Sequence, residues 1–319
     1  MPFDPDTQIV LDMIRLAGRP AFETLTPAEA REAYSASRKV LQPPREDVAE
    51  TRDVTIPGPL GDIPLRLYRP AGTEASDRLP ALIYYHGGGW LLGDLESHDG
   101  VCRRFANAAR CRVVSVDYRM APEHKFPAAV EDSATATRWV VEQADRLGID
   151  PDKIAVGGDS AGGNLAAVMA LMARDGALPP LAFQLLIYPS TDMMMTTASS
   201  QTVTAGVPLT SATMRWFIDH YLPDTTAARD WRASPLRAVD LSGVAQALVL
   251  TCRYDPLCDE GIAYVRRLEQ EGVRTVHLHY SDQTHGFMSM GRIIRAADQA
   301  IDMMAAALRK ALWPPGPPA

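Results

Sequence analysis

A serine with a glycine two residues to either side, in the run Gly158-Asp159-Ser160-Ala161-Gly162, constrains this chain more than any other feature. The G-x-S-x-G spacing belongs to a sharp strand-to-helix turn in which the serine takes a strained backbone angle and the flanking positions have no room for a Cβ. The surroundings fit such a turn. Residues 153–157 are small and β-branched, which predicts a short buried strand, and residues 163–174 are alanine-rich, which predicts a helix. Ser160 then stands at a helix N-terminus, where unpaired N–H groups favour negative charge. Glycine-rich chains also form this pentapeptide as a plain turn, so the reading depends on partners for Ser160 elsewhere.

A serine that attacks a carbonyl needs donors for the oxyanion, and a glycine run after a strand supplies them by letting bare backbone approach the substrate. His86-Gly87-Gly88-Gly89 is such a run and follows the apolar residues 81–85. The competing reading is a phosphate-binding loop. No Lys-Ser or Lys-Thr pair follows it, and a G-x-G-x-x-G run with a downstream ribose-binding acid is missing, which counts against a nucleotide. An acid and then a histidine should follow the serine, each just beyond a strand. Residues 246–252 read as a strand leading to Asp255. Residues 273–280 read as another, followed by a loop over 281–287 that carries His285. Asp259 and Glu260 compete with Asp255, and Asp255 has a helix cap as its structural alternative. Its place at the strand end favours it, because Asp259 and Glu260 fall in the first turn of the next helix.

Five segments in order resemble the hormone-sensitive-lipase family of α/β-hydrolase carboxylesterases. They are His86-Gly87-Gly88-Gly89-Trp90 with Gly93; Asp117-Tyr118-Arg119-Met120-Ala121-Pro122-Glu123 with Phe126-Pro127-Ala128; the run 158–164; Asp255-Pro256-Leu257 with Asp259; and His285-Gly286-Phe287. The likeness covers essentially the whole chain and is nearer to the bacterial and archaeal esterases than to the animal lipases. It implies an α/β-hydrolase fold, with a mostly parallel eight-stranded sheet flanked by helices under a helical cap. It also implies hydrolysis of short- to medium-chain acyl esters through an acyl-serine intermediate, without cofactor or metal. Residue by residue, it implies Ser160 as nucleophile, His285 as general base and then acid, and Asp255 as the group that fixes the histidine tautomer. The N–H groups of Gly88, Gly89 and Ala161 would form the oxyanion hole, with His86 bracing the loop. Met120 stands where leucine is common, a near-isosteric exchange.

Two rivals share these residues. One is an amidase or deacetylase using the same triad. The other is a small-ligand-binding relative of the plant gibberellin-receptor kind; those receptors lack the catalytic histidine, whereas His285 is retained here. Composition sets further limits. With 319 residues, 46% of them hydrophobic, the chain can bury a large core and suits one catalytic domain with a modest cap. A net charge of −7 without a basic cluster argues against nucleic acid. The acidic start carries no basic n-region, and no apolar run reaches membrane-spanning length, so a cytoplasmic protein without a membrane span is expected. The four cysteines show no C-x-x-C pairing and read as reduced thiols. His277 and His279 share a strand face, but no third metal ligand is in sight.

The expected organisation is a cap in two pieces, residues 1–50 and 189–230, over a core of residues 51–188 and 231–319. Helical patterns run near 7–16 and 26–41, the second opening with the capping sequence Thr26-Pro27-Ala28-Glu29, and a further helix is expected over 211–221. The resemblance points to Leu209, Met214 and Phe217 as walls of an apolar substrate pocket, and Trp90 joins them for its place beside the glycine loop. Plain cap core is the alternative for each. The run Met193-Met194-Met195 is either an adaptable pocket wall or a mobile loop. Residues 314–318, rich in proline, are expected to be disordered. The expected partner is a small ester, and the resemblance includes homodimers.

Overall fold

In the computed structural model, which describes residues 2–313, the chain opens with two capped helices. In α1 (Pro5–Ala17) the Asp4 carboxylate accepts from the N–H groups of Asp6 and Thr7. The expected capping box is present on α2 (Pro27–Leu41): Thr26 Oγ1 accepts from Glu29 N, and the Glu29 carboxylate accepts from Thr26 N at 2.9 Å. The proline-rich tail lies outside the described residues.

An antiparallel hairpin of β1 (Glu50–Gly58) and β2 (Gly61–Arg69) follows. Strands and helices then alternate: β3 (Leu79–Tyr85), α3 (Asp99–Ala109), β4 (Arg112–Val116), α4 (Ala128–Glu142), β5 (Ile149–Asp159), α5 (Ala161–Arg174) and β6 (Phe183–Ile187). After α6 (Ala198–Thr202) and α7 (Ser211–Tyr221) come β7 (Ala247–Tyr254), α8 (Cys258–Gln270), β8 (Thr275–Thr284) and α9 (Arg295–Leu312). Among the described residues the eight strands form one sheet in the order β1-β2-β4-β3-β5-β6-β7-β8, with β2 antiparallel to both its neighbours and the rest parallel. This is the α/β-hydrolase fold.

Every residue of β3 and of β6 is buried, as parallel strands covered on both faces require. One face packs against α4, α5 and α8, and the other against α3 and α9, in two separate apolar clusters. The first cluster extends into Ala30 of α2 and into Met214 and Phe217 of α7. The two N-terminal and inserted segments also meet directly, where Thr213 Oγ1 donates to Glu23 at 2.7 Å.

The sheet order decides where chemistry can happen. From β3 the chain moves outward to β4, then returns to place β5 on the opposite side of β3, so the loops leaving β3 and β5 part at a switch point. Tyr85 pairs with Gly158 across that point, which brings the glycine loop and Ser160 side by side at the carboxyl ends. Two of the boundaries that differ from expectation lie at the site. Helix α5 begins at Ala161, directly after Ser160, and β8 continues through Thr284, because a bulge at Cys252/Tyr254 lets Tyr254 pair with Thr284. Residues 281–284, expected as loop, are therefore strand.

Candidate active site

Ser160 has φ +58° and ψ −116°, outside the regions where L-residues sit comfortably, and it holds that shape through its neighbours. Its N–H donates to Ile187 O at 2.8 Å, and its carbonyl accepts from Asn164 N at 3.0 Å. Asn164 Nδ2 donates to Ser190 O and Ala233 O, fixing the opposite wall. A Cβ on Gly162 would overlap the Tyr85 carbonyl, and one on Gly158 would overlap the same carbonyl and the Gly162 backbone, so both glycines are demanded by the approach of β3.

Beyond β8, His285 accepts from Ser160 Oγ at Nε2 over 2.8 Å and donates from Nδ1 to Asp255 Oδ2 over 2.7 Å. Asp255 is fully buried just beyond β7, and its other oxygen accepts from Leu257 N at 2.8 Å. The competing carboxylates are engaged elsewhere: Glu260 accepts from Thr191 N and Asp192 N, and Asp259 from Ser199 N. Tyr188, at φ +35°, packs its ring 4.7 Å from the His285 ring, with its hydroxyl buried and unpartnered among the described residues.

Across the cleft, Gly88 and Gly89 have φ of +125° and +62°. A Cβ on Gly88 would run into the Leu92 carbonyl, and one on Gly89 into the Phe217 ring. The N–H groups of Gly88, Gly89 and Ala161 donate to no backbone or side-chain acceptor among the described residues. His86 braces the loop through its Nδ1 on Gly87 O at 2.9 Å and stacks on Tyr118, whose hydroxyl donates to His86 O. Burial opposes charge on His86, but Asp117 and the Gly87 carbonyl outweigh it and raise its pKa.

A nucleophile, a histidine and a carboxylate hydrogen-bonded in series, facing unpaired N–H groups, can add the serine oxygen to a carbonyl and stabilise the resulting oxyanion. A family model described as alpha/beta hydrolase fold matches residues 82–289, a stretch that contains all of these groups. The chain belongs to the hormone-sensitive-lipase-like α/β hydrolases. It is 40% identical to the carboxylic ester hydrolase LipN of Mycobacterium tuberculosis over 96% of this chain and 82% of the relative. It is 38% identical to the ethyl acetate hydrolase of Pseudomonas putida over 98% of this chain and 100% of the relative. Among solved structures, an ester hydrolase from the Lake Arreo metagenome, complexed with a bipyridine phosphonate derivative, superposes with TM-score 0.92 at 43% identity, covering 96% of this chain and 98% of that one. The hyperthermophilic esterase of Pyrobaculum calidifontis gives 0.91 at 42% identity, covering 97% and 99%.

In this member of the family Trp90 has no exposed surface, and its indole stacks on Tyr221 at 4.5 Å and 8°. Leu209, Met214 and Phe217 are buried together in the cluster that reaches α2 and α7, and the Phe217 ring lies against Gly89 of the glycine loop. Met193 and Met195 are buried too, on a turn held by Glu260 and by an Asp192–Arg237 ion pair.

The G-x-S-x-G pattern assigns Asp159 no role of its own. Its carboxylate accepts from Tyr84 Oη at 2.8 Å and Gly87 N at 3.0 Å and lies 3.2 Å from His98 Nε2. Burial would raise its pKa, but His98, Tyr84 and Gly87 outweigh that and lower it to about 2. An acid closing the buried run 154–159, whose other members are uncharged, was the available signal. Among the described residues no group of three or more His, Cys, Asp or Glu side chains could hold a metal, and His277 and His279 both bond to Thr251 Oγ1. No helix among them is long and apolar enough to cross a membrane.

Proposed function

We propose that this carboxylic ester hydrolase cleaves short- to medium-chain acyl esters through an acyl-serine intermediate, with Ser160 as nucleophile, His285 as general base and acid, and Asp255 as the group that orients it. The observation that carries this reading is the unbroken series Ser160–His285–Asp255 opposite the unpaired donors of Gly88, Gly89 and Ala161. Ser160 Oγ attacks the ester carbonyl carbon while its proton passes to His285 Nε2. Asp255 keeps the proton on Nδ1, so Nε2 is the free acceptor, and stabilises the imidazolium that forms. The carbonyl oxygen, now negative, takes hydrogen bonds from the three backbone donors. Collapse expels the alcohol, which takes the proton from His285. Water then enters and attacks the acyl carbon as it loses a proton to the same nitrogen; collapse breaks the acyl–Oγ bond, the proton returns from His285 to Ser160 Oγ, and the carboxylic acid is released.

The cap, residues 1–50 with 189–230, would cover this site, and Leu209, Met214 and Phe217 would form its apolar wall. Phe217 against Gly89 puts an aromatic surface beside the oxyanion position, which suits an alkyl chain. A cytoplasmic location fits four buried free thiols. The resemblance includes homodimers, and the mass of the protein in solution decides that point.

Hydrolysis of p-nitrophenyl esters from acetyl to palmitoyl, with Ser160→Ala alongside, tests the reading. The expected result is a maximum at short to medium chains that disappears in the variant. Turnover in Ser160→Ala within about tenfold of wild type rules out the nucleophile assignment.

A further inference from the structure

Helix α2 carries two arginines, Arg31 and Arg38, that do not behave as surface charges. They stand seven residues apart, two helical turns and about 10 Å along one face. Arg31 reaches the glycine loop. Its Nε donates to Leu91 O at 3.0 Å and its Nη2 to Ala121 O at 2.7 Å. Leu91 N and Leu92 N close the turn on Gly88 O, and Ala121 N donates to Trp90 O, so both carbonyls belong to the frame around Gly88 and Gly89. Glu123 holds the guanidinium in place from the other side at 2.6 and 2.8 Å.

Arg38 reaches the histidine turn. Although only 6% exposed, it meets no carboxylate among the described residues. Its Nη1 donates to Ser289 Oγ at 2.5 Å and Ser289 O at 3.2 Å, and its guanidinium lies 5.0 Å over the Tyr34 ring. Ser289 in turn donates from N and Oγ to Gly286 O, the carbonyl next to His285, and so closes the turn that carries the base. Burying a guanidinium is costly unless its hydrogen bonds are made, so Arg38 and the turn hold each other in register.

We propose that α2 is a strut that sets the spacing between the oxyanion loop and the general base, with Arg31 and Arg38 as positioning residues at its two ends. The proposal rests on the triad reading above. A cap helix fastened at both places links any movement of the cap to the alignment of donor and base, so cap opening relaxes the site and closure restores it.

The test compares Arg31→Met, Arg38→Met, the double variant and Ser289→Ala, with Arg15→Gln on exposed α1 as the neutral control, using p-nitrophenyl butyrate. Arg38→Met is expected to lower kcat roughly tenfold at nearly constant KM and to shift the acid limb of the kcat/KM profile, because the turn carrying His285 is loosened. Arg31→Met is expected to lower kcat by about the same factor, leave the pH profile in place and weaken binding of a trifluoromethyl ketone, which needs the oxyanion donors. The double variant should lose less than the product of the two singles, as coupled sites do. Ser289→Ala removes the Oγ acceptor of Arg38 together with the Oγ–H bond to Gly286 O, leaves the main-chain bonds at Ser289 in place, and probes the link between Arg38 and the turn should Arg38→Met fail to fold; an expected kcat loss of about threefold at unchanged Tm supports the strut.

Singles that keep kcat within about twofold of wild type, or that move KM alone, overturn the proposal. In that case the contacts of α1 with Asp282 and Gln283 hold the histidine turn unaided. Strictly multiplicative losses in the double variant overturn the strut and leave two separate anchors. Ser160→Ala, run in parallel, keeps the two readings apart. Residual turnover there defeats the triad, whereas Ser160-dependent turnover with silent arginine variants defeats only the strut.

Discussion

Gly87 donates its N–H to the carboxylate of Asp159 at 3.0 Å, and that bond ties the loop carrying the proposed oxyanion donors to the residue that precedes the nucleophile. Because Asp159 and Ser160 share a peptide unit, Asp159 sets the offset between donors and attacking oxygen without touching substrate. Asp159→Asn keeps the shape and an acceptor but removes the charge that faces His98. The expected outcome is a kcat about tenfold lower at little-changed KM, read on a short-chain p-nitrophenyl ester. A variant indistinguishable from wild type shows that shape alone holds the loop.

The same carboxylate makes stability depend on pH. Its folded pKa of about 2 lies below the ordinary aspartate value of about 3.9, so it contributes stability above the ordinary value and loses it as pH falls through the folded one. Wild-type Tm should therefore decline between about pH 4 and pH 2, and Asp159→Asn should show a shallower decline over that window. Parallel curves would assign the acid sensitivity to other carboxylates, with Glu123, also lowered to about 2 by Arg31, the next to examine.

How much of this was legible beforehand follows from where each constraint lives. Ser160 announces itself because its backbone angle and the nearby Tyr85 carbonyl forbid side chains at Gly158 and Gly162, a demand written within five residues. Asp255 was readable because an apolar strand leads to it, and His285 because it follows the strand pattern of residues 273–280. The end of β8 was not: Ser281, Asp282, Gln283 and Thr284 are polar, and only pairing with β7 makes them strand. The stacking of Trp90 on Tyr221 of α7 was hidden for a similar reason, since the two are distant in sequence. Arg31 and Arg38 look like ordinary charges on an amphipathic helix, because their partners are carbonyls and a serine that leave no pattern in sequence.

Thiol chemistry should leave the enzyme untouched. Burial first, then the charge of Asp255, pushes Cys258 up to about 12, and burial raises Cys252 well above the usual thiol value. Cys111 is likewise pushed up to about 12 by burial, and Cys102 is raised by the same cause. Thiolates are therefore scarce at about pH 8, and alkylation needs the thiolate. Incubation with iodoacetamide is expected to preserve turnover, while a sulfonyl fluoride, directed at Ser160, abolishes it. Rapid loss with iodoacetamide would mean that the Asp255 loop opens in solution.

Gly89 and Phe217 allow the sharpest steric test. A Cβ at Gly89 would overlap the Phe217 ring, and φ +62° disfavours any side chain there. Gly89→Ala should therefore displace either the donor or the ring, and loss of one oxyanion donor typically costs about 100-fold to 1,000-fold in kcat. Adding Phe217→Ala opens the space but leaves the backbone strain, so the double variant should recover only part of that loss. Phe217→Ala alone should retain Ser160-dependent turnover and shift the preferred acyl chain to longer esters, at a stability cost of about 3–5 kcal/mol for truncating a buried phenylalanine. The chain-length profile from acetyl to palmitoyl decides the matter. An unchanged optimum in Phe217→Ala places the ring in the apolar core alone and removes it from the substrate wall.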